Sequence, residues 1–149
     1  MKVSGIMLGA ALVGLVVLLA GCGGTTDTTG TTTAVGTWDF GATTLVPQDA
    51  GGANIAVTGG VLNLRSLASA AVNDAAAQFT DSGGKVRTFT GSYSLNGTFV
   101  SGAGLTGVDG TLSFTGTLFS MGIMTGNLEY HDTGGALYRG SFTASKVSG

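Results

Sequence analysis

The densest group of titratable side chains in the sequence is Glu129, His131 and Asp132. In a β-strand, Glu129 and His131 share one face and Asp132 points to the other. A His–carboxylate pair can perform acid–base chemistry, but a nucleophile or a metal would need further partners, and no G-x-S-x-G elbow occurs. We therefore predict a solvated hairpin end here, no catalytic residues, and a protein that is not an enzyme.

Residues 102–107 read GAGLTG, which has the spacing of the dinucleotide fingerprint G-x-G-x-x-G. That fingerprint works at the start of a helix in a βαβ unit, whereas here the hairpin signal Asp109-Gly110 follows directly. Apolar positions are even-numbered through Val100 and odd-numbered from Leu105, a change that one inserted residue produces. The sequence predicts a β-bulge and no nucleotide cofactor.

Charge and metal-ligating residues are sparse. The 149 residues include six Lys and Arg, eight Asp and Glu, one His and one Cys. Nucleic-acid binding needs clustered Lys and Arg, and a transition-metal site needs several His or Cys ligands, so neither is expected. A single Cys cannot form an intramolecular disulfide, so a packed core must stabilise the fold. We predict no metal, no cofactor and no nucleic-acid partner.

The first 22 residues read MKVSGIMLGAALVGLVVLLAGC, with one Lys before an uncharged apolar run. The run could span a bilayer, but small residues before a Cys are typical of a secretory leader. Leu19-Ala20-Gly21-Cys22 resembles the lipobox of bacterial lipoproteins. The resemblance implies that a signal peptide, residues 1–21, is removed. Cys22 would then carry a diacylglycerol on its sulfur and an acyl chain such as palmitate on its amino group. The alternative is a leader cleaved elsewhere and an incidental Cys.

Residues 22–35 follow as a predicted tether, since Thr and Gly dominate and almost nothing apolar can be buried. Two or more acyl chains would anchor the protein stably in a membrane. Gly23, in place of Asp, resembles lipoproteins released to the outer membrane, if the source has two membranes. We expect a lipid-anchored protein of the bacterial cell envelope, with residues 36–149 as its folded domain.

From residue 85 onward, apolar and polar residues alternate with period two between turn signals such as Asn96-Gly97 and Asp109-Gly110. Gly59-Gly60 is a third two-residue signal, which would pair Val57 with Leu62 across a hairpin. The pattern predicts eight strands in chain order, at residues 36–46, 53–58, 61–66, 85–95, 98–108, 111–119, 123–131 and 136–146.

Residues 67–78, between the third and fourth predicted strands, are rich in Ala. Ala is the best helix former and is depleted in strands. Val72, Ala76 and Phe79 would fall on one face of a helix. We predict one short helix or helical loop in this segment.

One face of the strands repeats an apolar-x-Gly-x-apolar pattern, as in Phe114-x-Gly116-x-Leu118. Gly within a strand marks bending or close approach, which tightly coiled strands require. We predict an all-β fold: a small eight-stranded antiparallel up-and-down barrel, or else a strongly bent meander. Phe99 and Phe119 would lie on the outer face. The common core would contain Trp38, Phe89, Tyr93, Phe114, Leu128, Tyr130, Tyr138 and Phe142.

The register of the last hairpin follows from which of its residues are apolar. The apolar residues on both strands are even-numbered and must face each other across the hairpin on the inner side. A three-residue loop at 133–135 gives this pairing, whereas a two- or four-residue loop would pair even-numbered with odd-numbered residues. This register places Tyr130 opposite Tyr138, and Glu129 opposite Arg139.

Gly36-Thr37-Trp38 resembles the Gly-x-Trp opening of lipocalins and related calycin barrels, in which the Trp closes the barrel floor. The lipobox, tether and eight strands also resemble, in architecture, surface lipoproteins with transferrin-binding-protein-like barrels. A transmembrane barrel shows the same alternation, but it would need an apolar outer band and more aromatic residues.

Two function classes follow. The leading hypothesis is a membrane-anchored envelope lipoprotein whose β-domain has a non-enzymatic structural or protein-interaction role, with another envelope protein as partner. The alternative is a carrier of a lipid or small apolar ligand in the barrel interior. The ligand-contacting residues would then be Trp38, Tyr93, Phe114, Tyr130 and Tyr138. A carrier needs an apolar cavity of about 300 Å³ or more, whereas an interaction module has a filled interior and an exposed patch.

Overall fold

The computed structural model describes residues 33–66, 73–119 and 122–149, and none of these residues is helical. The described residues form nine strands: β1 (Gly36–Phe40), β2 (Thr43–Pro47), β3 (Ile55–Arg65), β4 (Asn73–Asp81), β5 (Val86–Asn96), β6 (Phe99–Gly107), β7 (Gly110–Phe119), β8 (Ile123–Asp132) and β9 (Leu137–Ser148).

The strands close into an antiparallel barrel. From β3 to β9, each strand pairs with the one that follows it in sequence, and both β1 and β2 pair with β3 and with β9. β1 and β2 therefore share one position, so the nine strands fill eight positions around the barrel. The all-β antiparallel barrel is confirmed, and the open meander is not observed.

The predicted first strand, 36–46, is two strands separated by the exposed residues Gly41 and Ala42. Phe40 and Leu45 are both buried, although they are an odd number of positions apart. A straight strand would turn one of them outward, because side chains alternate with period two. The break restores the inward direction for Leu45.

The predicted Gly59-Gly60 hairpin is wrong, because β3 runs through both glycines. Val57 and Leu62 are buried in one strand, and the register of β3 against β4 shifts between Val57 and Gly59. This bulge changes the parity of the inward positions. A Cβ at Gly60 would collide with the ring of Phe40, so Gly60 leaves room for a core aromatic residue.

The predicted helix at 67–78 is not supported. Residues 67–72 lie outside the described residues, and residues 73–78 belong to β4, which is paired on both sides by β3 and β5. Ala75, Ala77 and Phe79 alternate into the core. Small Ala side chains fit a narrow barrel interior opposite larger residues, and this packing overrides helix propensity.

The register of the last hairpin is confirmed: Glu129 pairs with Arg139, and Tyr130 with Tyr138. The bulge in 102–107 is also confirmed by a register shift between Gly102 and Leu105, with Gly104 at φ +63°. The loop predicted at Asn96-Gly97 lies one position later, since residues 97–98 join β5 to β6. The loop predicted at Asp109-Gly110 lies one position earlier, since residues 108–109 join β6 to β7.

The barrel has two ends, which we call the mouth and the floor. Loops 82–85, 108–109 and 133–136 lie at the mouth. Loop 97–98, the start of β1 and the end of β9 lie at the floor. The buried residues form one apolar cluster between them, and every predicted core residue belongs to it except Tyr138, which is half-buried against it.

Candidate ligand sites of the barrel

The five residues predicted to contact an interior ligand all belong to the core or pack against it. Their strand positions place Trp38 and Tyr93 near the floor, Phe114 in the middle, and Tyr130 and Tyr138 near the mouth. They therefore line the whole length of the barrel and do not converge on one pocket. The Trp38 indole N–H donates to the Ala34 carbonyl oxygen at 2.8 Å, which positions the ring at the floor.

The middle of the barrel is filled by side chains. A cavity there has a volume of about 10 Å³, close to the minimum for a single water molecule. Its lining is entirely apolar: Phe40, Leu62, Ala77, Leu112, Phe114, Leu128 and Phe142. No drug-sized apolar ligand fits such a space, since pockets for these ligands are about 300–1,000 Å³.

Aromatic rings connect this core to the mouth. The Phe79 and Phe89 rings stack with centroids 5.7 Å apart, and Tyr130 packs edge-on against Phe79 at 5.6 Å. Tyr130 also stacks on the half-buried Tyr138 at 5.8 Å. The Tyr130 hydroxyl donates to the backbone carbonyl oxygen of Asp109 at 2.6 Å, and burial raises the pKa of this phenol. Packed aromatic rings therefore lie beneath the mouth, and a hydrogen bond fixes the position of Tyr130 among them.

Arg87 lies above these rings, with its guanidinium carbon 5.5 Å from the Phe79 centroid and 5.8 Å from that of Tyr130. Its Nη1 donates to Asp81 Oδ2 at 2.6 Å, and the two side chains are only 12% and 16% exposed. The other Asp81 oxygen accepts the backbone N–H groups of Gly83 and Lys85. The hydrogen bond from Arg87, with that from Lys85, lowers the pKa of Asp81.

A recess of about 380 Å³ opens above this pair at the mouth. Lys85 Nζ lies 2.5 Å from Asp109 Oδ1 at its edge, so both cations there are neutralised by carboxylates. The buried Nε of Arg87 has no hydrogen-bond partner. The lining of the recess combines aromatic, charged and neutral side chains: Ala53, Asn54, Ile55, Lys85, Arg87, Asp109, Tyr130, Asp132, Thr133 and Tyr138.

A second concave surface, which we call the outer groove, lies on the outside of β6 to β9. It consists of two recesses, of about 340 and 430 Å³, that share Thr115 and Asn127. Phe99 borders one end and the Glu129–Arg139 pair borders the other. Between them the outward side chains are neutral and hydroxyl-rich: Ser113, Thr115, Thr117, Thr125, Asn127, Ser141 and Thr143.

Glu129 and His131 do come together, on the outside of the barrel. His131 Nε2 lies 3.3 Å from Glu129 Oε1, while Glu129 Oε2 accepts from Arg139 Nε at 2.9 Å. Arg139, followed by His131, lowers the pKa of Glu129. Asp132 instead accepts the backbone N–H of Ala136 and closes the hairpin. The arrangement is an exposed ion-pair cluster at the rim of the outer groove.

Within residues 33–66, 73–119 and 122–149, no three His, Cys, Asp or Glu side chains are grouped as a metal site would require. The same part of the chain contains no helix that could cross a membrane. Cys22, the predicted lipidation site, lies outside the described residues.

The half-buried Arg87–Asp81 pair at the mouth was not predicted from the sequence. Arg87 has the same parity as Phe89 and Tyr93, so alternation alone places it on the inner face. Asp81 precedes Gly83-Gly84, and an Asp before such a turn often binds the following backbone N–H groups. Together these two signals indicate an inward Arg beside a turn carboxylate.

Comparison with known proteins supports the fold. No protein-family model and no curated protein sequence matches the chain. Among solved structures, a barrel described as EF1p2_mFAP2b bound to DFHBI is 18% identical with a TM-score of 0.52, covering 75% of this chain and 92% of that one. A redesigned β-barrel, b11L5F_LGL, is also 18% identical, with a TM-score of 0.46 and coverages of 72% and 88%. At this identity the likeness to EF1p2_mFAP2b is one of fold.

Proposed function

We propose that this chain is a bacterial envelope lipoprotein, anchored through acylated Cys22, whose barrel is a non-enzymatic interaction module. The observation that carries the proposal is the filled interior, where the cavity among the core side chains has a volume of about 10 Å³. A barrel whose interior is packed can bind partners only at its surface. The lipobox-like Leu19-Ala20-Gly21-Cys22 supports the anchor.

Two surfaces have the form that such a module needs. The mouth recess offers aromatic side chains beside paired charges, and the outer groove offers an open row of neutral hydroxyl groups. Both are concave. The outer groove is built on paired strands, which hold side chains more rigidly than loops do, whereas the mouth recess combines strand residues such as Arg87 and Tyr130 with loop residues such as Lys85 and Asp109. We expect a protein partner in the envelope to contact one of these surfaces.

The alternative is a carrier of a lipid or small apolar ligand. The fold is compatible with this role, since EF1p2_mFAP2b is described as bound to DFHBI. In this chain, however, an interior ligand would have to displace core side chains such as Phe114. We therefore favour the interaction module.

The anchor is tested by metabolic labelling with an alkyne fatty acid in a bacterial host, followed by membrane fractionation. Cys22→Ser is expected to abolish labelling, and Thr25→Ser, which keeps the Cys, serves as the control. Labelling of the Cys22→Ser chain at the control level would contradict the proposed anchor.

The packed interior is tested by thermal unfolding with and without benzene. A ligand that binds only the folded state raises the midpoint, and an apolar cavity of about 150 Å³ binds benzene. We expect no shift for the natural chain or for Phe119→Ala, in which an exposed ring is removed. Phe114→Ala, which opens the core, is expected to show an increase. A comparable increase in the natural chain would favour the carrier.

A further inference from the structure

Four apolar side chains stand at the floor end of neighbouring strands, and we call them the apolar rim. Phe99 is the first residue of β6, Phe119 the last of β7, Ile123 the first of β8, and Val147 the next to last of β9. Phe99, Phe119 and Val147 are 47%, 49% and 61% exposed, and Ile123 is half-buried. Large apolar side chains exposed together mark an interaction surface.

The strand register makes the rim continuous. Phe119 lies directly opposite Ile123. Phe99 lies opposite Thr117, two positions before Phe119 on the same face, and Ser145 lies opposite Ile123, two positions before Val147. Directly opposite residues are about 5 Å apart and diagonal neighbours about 7–8 Å, within reach of aromatic side chains. The rim is therefore one band across the outside of β6 to β9.

The mouth has a different character. Its exposed large apolar residues among the described part of the chain are Val46, Val86 and Val108, with no aromatic ring. Two of them stand next to charged residues in the chain: Val86 lies between Lys85 and Arg87, and Val108 precedes Asp109. The barrel thus has an apolar aromatic rim at the floor and an ion-paired mouth.

The amino-terminal part of the chain joins the barrel at the floor. β1 begins there at Gly36, and just before it Thr33 lies beside Lys146 of β9, whose Nζ is 3.3 Å from Thr33 Oγ1. Cys22 precedes Thr33 by 11 residues, which span at most about 40 Å when fully extended. An acyl anchor on Cys22 would therefore be connected to the barrel at its floor.

We propose that the apolar rim docks on the surface of the bilayer that holds the anchor, an inference that rests on the proposed lipidation of Cys22. Amphipathic surfaces bind membranes by placing apolar side chains at the boundary between headgroups and acyl chains. The short connection to the anchor keeps the rim at a high effective concentration near the lipid, so a weak affinity suffices. The mouth then faces away from the membrane, where a partner can reach it.

The inference is tested with the full lipidated protein in vesicles of phosphatidylethanolamine and phosphatidylglycerol. Two variants that each add one cysteine to the chain, Phe119→Cys at the rim and Val108→Cys at the mouth, are each labelled with the environment-sensitive fluorophore NBD. Acylated Cys22 carries no free thiol and is not labelled. We expect the rim label to become several-fold brighter on vesicles and to resist quenching by dithionite. The mouth label should do neither.

The possible outcomes separate the two proposals. Protein that fails to float with the vesicles contradicts the anchor, and with it the docking. Protein that floats while both labels are quenched equally by dithionite contradicts the docking alone. A rim label whose brightness rises with protein density at constant lipid shows contact with a second copy and also overturns the docking. The double variant Phe99→Ser, Phe119→Cys provides a second check. We expect its NBD label to brighten less on vesicles than the label of Phe119→Cys alone.

Discussion

Two Phe residues on β7 show how strongly the direction of a side chain determines its role. Phe114 is buried in the middle of the barrel, and Phe119 at the end of the same strand is half-exposed. Phe114→Ala is expected to lower the free energy of unfolding by about 3–5 kcal/mol, because a large buried side chain is lost. Phe119→Ala is expected to change it by less than about 0.5 kcal/mol. Urea unfolding measures both, and equal costs would place both rings in the same environment.

Asp81 fixes the turn between β4 and β5 at the mouth, since it accepts hydrogen bonds from Arg87 and from the backbone N–H groups of Gly83 and Lys85. Asp81→Ala removes the partner of a guanidinium that is 12% exposed. Leaving a buried donor unsatisfied costs about 1–3 kcal/mol, so we expect a destabilisation in this range. Asp39→Ala, at an exposed carboxylate, is the control and should be nearly neutral. A neutral Asp81→Ala would contradict the structural role of the pair.

Acid should weaken the barrel through the same carboxylate. The pKa of Asp81 is lowered from 3.8 in the folded state, so its contribution is complete above about pH 4 and is lost as pH falls through the folded pKa. The pKa of Glu129 is also lowered, but its ion pair with Arg139 is exposed and contributes little to stability. Urea midpoints between pH 7 and pH 3 should fall less for Asp81→Asn than for the natural chain. If the urea midpoints of the two chains fell equally with pH, Asp81 would not be the cause of the loss of stability in acid.

Residue directions were largely predictable from parity. Seven of the eight predicted core residues are buried and Tyr138 is half-buried against the core, while Phe99 and Phe119 face outward as predicted. The Arg87–Asp81 pair was missed because an inward Arg contradicts the expectation that an inner face is apolar. Only the neighbouring Asp81 and the rings of Phe79 and Tyr130 make that position favourable.

At the scale of the elements, the interior glycines allow neighbouring strands to approach. A Cβ at Gly126 would collide with the Thr115 carbonyl oxygen and lie 2.7 Å from the Gly116 Cα, both of which are backbone atoms. We expect Gly126→Ala to destabilise the barrel by about 1–3 kcal/mol, as overpacking does. Gly59→Ala meets no atom within 4 Å and should be neutral or slightly stabilising. Thermal unfolding of the two variants measures these changes. Equal changes in stability would show that the close approach of the strands is not what makes Gly126→Ala destabilising.

Hairpin register could be predicted where the loop length and the parity of both strands agreed, as for Tyr130 and Tyr138. The Gly59-Gly60 prediction failed because the same dipeptide suits a turn or a bulge. In the barrel, β3 continues through both glycines, pairs with β4, and places Gly60 against the ring of Phe40. The Ala-rich segment was assigned to a helix because intrinsic propensity was weighed without its partners. In the barrel, residues 73–81 pair with strands on both sides.

At the scale of the whole molecule, closure of the barrel determines what the protein can bind. The sequence indicated eight strand positions but could not show how completely the side chains fill the space inside. That filling depends on Ala75 and Ala77 facing inward and on the kink between β1 and β2, which alternation alone does not reveal. The result is a barrel with a packed core, a polar outer groove, an ion-paired mouth and an apolar rim.

Native mass spectrometry of the protein extracted from its membrane in mild detergent tests the packed interior most directly. We expect the mass of the chain from Cys22 onward plus its acyl groups, with no further apolar molecule that persists until the protein unfolds. A stoichiometric lipid or small apolar molecule that is released only on unfolding would contradict the packed interior and establish the barrel as a carrier.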